Sequence, residues 1–132
     1  MFVMNKQHFL KLCNNIIEHD HDFNIWAYAR IDTVKEEYLE TLKKAGVNWL
    51  ALGIESGNKT VRKDVVKGAF TEVNISDLVN KVKDAGINVI GNYIFGLPED
   101  TVDTMQETLD MSMNLNCEFA SLEKKLKSLL KT

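Results

Sequence analysis

The sequence predicts an α/β fold built on a parallel sheet, because helix-like and strand-like segments alternate and one such unit is repeated. Shifting the chain by 40 residues aligns Leu42–Ile54 with Val82–Ile94, and five of the thirteen aligned positions are identical. In both copies a helical pattern runs into Ala-Gly and then into a mostly apolar run. Gly46 and Gly86 are therefore predicted to close their helices in the left-handed conformation. Apolar runs without alternation are typical of parallel strands that are covered on both faces.

The predicted elements follow in order along the chain. Apolar spacings of three and four residues predict helices, and the apolar runs between them predict strands. Helices are predicted over Lys6–Glu18, from about Val34 to the first Ala-Gly pair, briefly after Asn58, from Asn74 to the second Ala-Gly pair, and over Val102–Leu115. Strands are predicted over Phe23–Ala29, Trp49–Ile54 and Val89–Phe95. Thr33 and Glu36 are predicted to form a capping box, and Asp100 or Thr101 to cap the last helix.

The number of units indicates a fragment of a (β/α) TIM-like partial barrel. The 132 residues hold little more than three βα units, whereas a closed eight-unit barrel takes about 250 residues. An open parallel sheet exposes strand edges and an apolar face. We therefore expect the chain either to continue in a longer protein or to pair with a partner, including by self-association.

The last dozen residues have a different pattern. Ser121–Thr132 carries leucines on one helical face and lysines elsewhere, which predicts an amphipathic helix. Such a helix could dock on a membrane surface or a partner, or simply cover the exposed sheet. We therefore divide the chain into a barrel part, residues 1–120, and a terminal helix or tail, residues 121–132.

Composition excludes several classes of protein. With 45% hydrophobic and 27% charged residues the chain is globular, and its net charge of −3 does not favour nucleic-acid binding. It shows no membrane-spanning run and no secretory signal, so a cytoplasmic location is expected. His19-Asp20-His21 lies at the end of the sheet away from the expected site, so no metal site is predicted there. The phosphate-binding, Rossmann and hydrolase motifs are missing as well.

Unusual residues follow three predicted strands, at the edge where parallel α/β folds bind ligands. Arg30 could clamp a carboxylate, and Glu55 could accept hydrogen bonds from a hydroxyl pair or an amine. The two could equally form an ion pair that ends the sheet. Gly57 and Gly96 would permit either a tight turn or the close approach of a ligand.

These strand ends resemble the latter part of the radical S-adenosylmethionine (radical SAM) core, especially in members with a cobalamin-binding domain. The resemblance covers about Phe2 to Ala120. It rests on the order and spacing of Ala29-Arg30-Ile31-Asp32, Ala45-Gly46, Gly53-Ile54-Glu55-Ser56-Gly57, Lys67-Gly68, Ala85-Gly86-Ile87 and Phe95-Gly96-Leu97-Pro98-Glu99.

The resemblance implies an enzyme with two cofactors. In that family a [4Fe-4S] cluster reduces S-adenosylmethionine and a 5′-deoxyadenosyl radical abstracts hydrogen from the substrate. By analogy, Glu55 and Ser56 would contact the ribose or methionine part of the cofactor, and Arg30 would face the same cavity. The family's Ile-x-Gly-x-x-Glu positions near adenine are matched by Ile94, Gly96 and Glu99. The glycine that begins this motif is Asn92 here.

Two family features are missing from this sequence: the C-x-x-x-C-x-x-C run that ligates the cluster and the Gly-Gly-Glu-type segment that meets the methionine amine. Cys13 and Cys117 cannot replace the cluster ligands, because several thiolates must converge on one cluster; both are interpreted as small buried hydrophobes. We therefore expect part of a radical SAM enzyme that is inactive on its own. The alternative is a free-standing α/β half-barrel that acts as a binding or assembly module.

Overall fold

The computed structural model describes residues 1–66 and 73–124, which form a four-stranded sheet with helices. All neighbouring strands are parallel, and their order in the sheet is β1-β2-β3-β4. The strands are β1 (Ile25–Arg30), β2 (Val47–Glu55), β3 (Asn88–Phe95) and β4 (Phe119–Lys124). The helices are α1 (Lys6–Glu18), α2 (Glu36–Lys44), α3 (Lys59–Val66), α4 (Ile75–Asp84) and α5 (Val102–Leu115). The α/β class and the partial-barrel architecture are thus confirmed.

The two repeated glycines end their helices as the sequence predicts. Gly46 has a φ of +98° and Gly86 a φ of +81°, so both are left-handed. At Gly46 a side chain is also excluded by space, because an added Cβ would lie 2.2 Å from the Phe23 carbonyl oxygen. The tight approach brings the link before β1 against the end of α2, and the Gly46 carbonyl accepts a hydrogen bond from the Ile25 amide.

One face of the sheet is covered by helices. Successive parallel strands with right-handed crossovers place their helices on the same side of the sheet. On that side Leu50, Leu52 and Ile54 of β2 are completely buried. They share one hydrophobic core with Phe9 of α1, Leu42 of α2 and Val79 of α4. This core fixes the strand ends relative to one another.

The other face carries the alternate residues of the strands. Tyr28, Ala51, Ile90 and Phe119 form one row across the four strands. Arg30, Gly53, Asn92 and Ser121 form the next row towards the carboxyl ends. Within residues 1–66 and 73–124 this face stays open, with Tyr28 63% and Phe119 61% exposed. We call it the open face.

Two expectations are wrong. Residues 121–124 belong to β4 and not to a terminal helix, because they pair with the free edge of β3. The rest of the expected helix lies outside the described residues, and so does the Lys67-Gly68 pair. Thr33 does not cap α2: its hydroxyl donates to the Arg30 carbonyl within a 3₁₀ turn, and α2 begins at Glu36. One face of the sheet stays uncovered within the described residues, as expected of an open parallel sheet.

The remaining helix signals are confirmed. Asn58 and Asn74 accept hydrogen bonds from amides in the first turns of α3 and α4. Thr101 caps α5 through a reciprocal box with Thr104. No helix in the described part of the chain is long and apolar enough to cross a membrane.

Candidate functional site

A cavity of about 480 Å³ lies on the open face at the carboxyl ends of the strands. Glu55 and Ile94, both predicted site residues, line it. The rest of the wall comes from all four strands and the first residue of the chain: Met1, Tyr28, Ala29, Ala51, Gly53, Asn92, Tyr93, Ser121 and Glu123. We call it the upper cavity. Its position is the one where parallel α/β folds bind ligands.

A bulge at the end of β2 directs Glu55 onto the open face. Gly53 pairs with Asn92, whereas Glu55 pairs with Tyr93, so two residues of β2 oppose one step of β3. Glu55 has a φ of +68°, a left-handed conformation that is rare outside glycine, asparagine and aspartate. Its carboxylate lies over Gly53, where an added Cβ would be 2.7 Å from Glu55 Oε1. Strained backbone of this kind, next to a cavity, is typical of functional positions.

Arg30 at the end of β1 is held by Asp32. Its Nε donates to Asp32 Oδ1, and its Nη2 donates to Asp32 Oδ2 at 2.7 Å. These hydrogen bonds raise the pKa of the guanidinium above its ordinary value. The Asp32 side chain is almost completely buried, so the fork geometry is fixed. Arg30 therefore places an oriented positive charge beside Gly53, its register partner on β2.

Ser56 follows Glu55 but faces the opposite way. It is fully buried, with its Oγ 3.3 Å from Thr108 Oγ1 of α5, and it accepts a hydrogen bond from the Asn58 amide. The Gly57 amide donates to the same threonine hydroxyl, and an added Cβ at Gly57 would lie 2.6 Å from the Glu107 carbonyl oxygen. These contacts attach the end of β2 to α5. The close approach at Gly57 is thus to backbone of the protein itself.

The loop after β3 is closed by Asp100. Its Oδ2 accepts hydrogen bonds from the amides of Gly96 and Leu97, and its Oδ1 accepts one from the Thr104 hydroxyl. Gly96 has a φ of +79°, so this turn requires glycine. Glu99 is exposed on the loop. Asp100 thereby orients the backbone at the Gly96 position, a role that the sequence pattern alone did not indicate.

The structure brings together only some of the predicted site residues. Glu55 and Ile94 share the upper cavity, with Arg30 at the neighbouring strand end. Ser56, Gly96 and Glu99 are not among the described residues that line it. Sequence reasoning missed Tyr28, Asn92, Ser121 and Glu123. Because side chains alternate between the faces of a strand, the residues two positions before Arg30 and Ile94, namely Tyr28 and Asn92, could have been predicted to share their face. The two β4 residues could not be predicted without knowing that the strand exists.

The chain's own residues do not fit an iron–sulfur cluster. Such clusters are held by several cysteine thiolates, and the sequence has two cysteines, Cys13 and Cys117. Cys13 is buried in α1, and burial raises the pKa of both thiols. Residues 1–66 and 73–124 contain no group of three or more metal-binding side chains. The upper cavity is lined by two carboxylates, those of Glu55 and Glu123, and such groups suit hydroxyl or amine groups of an organic cofactor.

Comparison with known proteins identifies the family. The model of the radical SAM superfamily matches residues 7–112. A putative methylthiotransferase of Methanocaldococcus jannaschii is 40% identical over 72 residues, which cover 54% of this chain and 16% of the relative. The matched part of the chain thus spans about a sixth of that protein's length.

Solved structures show the same fold. The radical S-adenosylmethionine methyltransferase TsrM of Kitasatospora setae, solved with the SAM analog aza-SAM bound, superposes with a TM-score of 0.81 at 21% identity, covering 92% of this chain and 25% of TsrM. TsrM with cobalamin and a [4Fe-4S] cluster bound gives a TM-score of 0.75 at 21% identity, covering 89% of this chain and 25% of TsrM.

Proposed function

Because the chain belongs to the radical SAM superfamily, we propose that its upper cavity forms part of an S-adenosylmethionine site. The observation that carries this proposal is Glu55, whose carboxylate projects over Gly53 on the open face from a left-handed bulge. A carboxylate accepts two hydrogen bonds, which suits the vicinal hydroxyls of a ribose or the amine of a methionine. Arg30 at the adjacent strand end is held by Asp32, and it would add positive charge near a bound cofactor.

The remaining residues have supporting roles in this proposal. Ile94 gives an apolar wall on β3, and Asp100 holds the Gly96 turn, so the backbone near an adenine ring would be preformed. Ser56 would act indirectly, by attaching the strand end that carries Glu55 to α5. S-adenosylmethionine would bring a reactive sulfonium to this cavity. We assign binding, and no radical step, to this chain, because its residues do not hold a cluster.

Titration calorimetry of the 132-residue chain with S-adenosylmethionine tests the proposal. We expect measurable binding and a loss of at least about tenfold in affinity for Glu55→Gln, since a hydrogen bond to a charged group is worth roughly 1.5–3 kcal/mol. Glu40→Gln is the matched control, because Glu40 lies on α2 in an exposed pair with Lys44. Absence of binding, or equal affinity for the two variants, would contradict the proposal.

We further propose that the complete protein is a group-transfer enzyme that holds the cluster, and a cobalamin, outside the residues described above. Support comes from the relatives, which are named as a methylthiotransferase and a methyltransferase. Its natural partner would then be the remainder of the barrel. A product of the full reading frame that shows neither cluster absorbance after anaerobic reconstitution nor methyl transfer from labelled S-adenosylmethionine would contradict this.

A second candidate function is assembly of two copies through the open face. Exposed Trp26, Tyr28 and Phe119 on that face favour it, because contiguous exposed aromatic surface is typical of interaction sites. Sedimentation velocity across a wide range of protein concentration distinguishes the two. A monomer at every concentration excludes self-association, whereas a concentration-dependent dimer that loses S-adenosylmethionine binding supports it.

A further inference from the structure

A second cavity, of about 360 Å³, lies on the open face below the upper cavity. Most of its lining is aromatic or apolar, and two of its residues are polar. The lining residues are Trp26, Tyr28, Trp49, Ala51, Ile90, Asn92, Phe119 and Ser121. We call it the aromatic trough. Its size is in the range of small-molecule sites in proteins.

The trough is deepest at its centre, where the side chain is small, and larger side chains form its sides. Ala51 lies between Tyr28 of β1 and Ile90 of β3 in the same cross-strand row. Towards the amino ends of the strands, the rings of Trp26 and Trp49 lie 5.2 Å apart between centroids. A small side chain between larger ones leaves room for a flat group to approach the sheet, and the nearby aromatic rings can make favourable offset or edge-on contacts with it.

Two polar side chains interrupt this apolar lining. Asn92 and Ser121 are register partners on β3 and β4. Neither side chain forms a hydrogen bond with another residue of the described chain, so an amide and a hydroxyl are available side by side. Polar groups within an apolar lining favour a ligand that offers them hydrogen bonds, because desolvation without a partner is costly.

The trough is continuous with the upper cavity. Tyr28, Ala51, Asn92 and Ser121 line both. A molecule in the trough would therefore lie next to the cavity that Glu55 lines. Asn92 lies at the boundary of the two cavities. It stands where the family motif begins with a glycine, which would leave no side chain at this boundary.

We propose that the aromatic trough binds the substrate of the complete enzyme, and that this substrate carries a planar aromatic ring with a carbonyl, amide or hydroxyl group. The ring would contact Trp26, Tyr28 and Trp49, and the polar group would pair with Asn92 and Ser121. This inference rests on the proposed function, because the trough can present a substrate to the cofactor only if the upper cavity, with which it shares a wall, binds S-adenosylmethionine.

The test uses the two tryptophans of the chain, both in the trough, as reporters. Indole-3-carboxamide is titrated into ¹⁵N-labelled chain while the two indole N–H resonances are followed, with cyclohexanecarboxamide as the non-aromatic probe. We expect saturable shifts of both resonances with the aromatic probe and several-fold weaker binding of the other. Equal binding of the two probes would overturn the proposal.

Variants locate the binding. Trp26→Leu should weaken binding of indole-3-carboxamide by about twofold to twelvefold, the equivalent of an aromatic contact of roughly 0.5–1.5 kcal/mol. Trp49 remains as the reporter. Phe23→Leu is the matched control, an exposed aromatic outside the trough. An unchanged affinity in Trp26→Leu would overturn the proposal.

The outcome is separable from that of the cofactor site. Calorimetry with S-adenosylmethionine is run on the same samples. If S-adenosylmethionine binds and neither probe moves the indole resonances, the trough proposal fails while the cofactor site stands. If the aromatic probe binds and S-adenosylmethionine does not, the proposed function fails. If the indole N–H resonances shift with protein concentration in the absence of any probe, the trough is a contact surface between two copies of the chain. That result would overturn the proposal.

Discussion

The two faces of the sheet are made by alternate residues of the same four strands, yet they differ in every physical respect. On the helix-covered face, β2 contributes Leu50, Leu52 and Ile54, which are completely buried. On the open face, the same strand contributes Trp49, Ala51, Gly53 and Glu55. The first set is large, branched and apolar. The second is a mixture of aromatic, small and charged residues.

The difference separates the face that provides stability from the face that carries the candidate site. Branched aliphatic side chains fill space against helices, and their burial holds the strands in register. Small residues on the other face leave room at the sheet, and a bulge brings Glu55 into that room. The difference between the two faces cannot be seen in the continuous apolar run of the sequence. Alanine and glycine are counted as apolar there, although they fill little space.

The largest effect that tests this comparison is a truncation on each face. We expect Leu52→Ala to lower the free energy of unfolding by about 2–5 kcal/mol, since it leaves a cavity in the core. Phe119→Ala, at a 61% exposed position on the open face, should cost less than about 1 kcal/mol. Urea unfolding measures both. A cost at Phe119 equal to that at Leu52 would show that the open face is covered in solution.

A smaller effect comes from adding one methyl group at each of two glycines. Gly57→Ala should destabilise the fold by about 1–3 kcal/mol, because the new Cβ would meet backbone atoms of Glu107 and Thr108. Gly53→Ala should change stability little, because its Cβ would meet the movable carboxylate of Glu55. It should instead weaken S-adenosylmethionine binding in calorimetry. Loss of stability at Gly53 with unchanged binding would break the division between the faces.

The smallest effect concerns Tyr93, whose hydroxyl is buried and has no hydrogen-bond partner in the described chain. Burial raises the pKa of this phenol above its ordinary value of 10.0. The unfolded chain therefore ionises first, and the wild type should lose stability as pH rises above 10. Tyr93→Phe should lose less over that range and differ by under about 1 kcal/mol at neutral pH.

The control for that experiment is Tyr28→Phe, since Tyr28 is exposed on the open face. Urea unfolding below and above pH 10 should give Tyr28→Phe the same loss as the wild type. If Tyr93→Phe also kept the full loss, the alkaline destabilisation would have to originate elsewhere, and the burial of Tyr93 would not explain it.

Much of the fold could be predicted from the sequence, because it depends on local signals. Gly46 and Gly86 end helices through their own backbone preference, and the 40-residue repeat shows the unit twice. The strand β4 could not be predicted, because its place is set by the free edge of β3. Leu122 lies at a spacing that suits a helix, yet its pairing with Tyr93 decides its conformation.

The position of the candidate site follows in part from the sequence. Glu55 and Ile94 line the upper cavity because strand ends in a parallel sheet converge at one edge, and their role in binding stays a prediction. The burial of Ser56 could not be anticipated, since Thr108 is 52 residues away along the chain. The predicted capping box at Thr33 does not form, because the chain continues past β1 in a 3₁₀ turn. In that turn the Thr33 hydroxyl donates to the Arg30 carbonyl instead.

The first two residues have a practical consequence. The Phe2 amide donates to the Tyr28 carbonyl at 2.9 Å, which fixes the beginning of the chain along the edge of β1, and Met1 lines the upper cavity. A ligand that enters this cavity would therefore meet a segment that is anchored by the Phe2 hydrogen bond. The backbone amide resonance of Phe2 should then shift when the ligand binds.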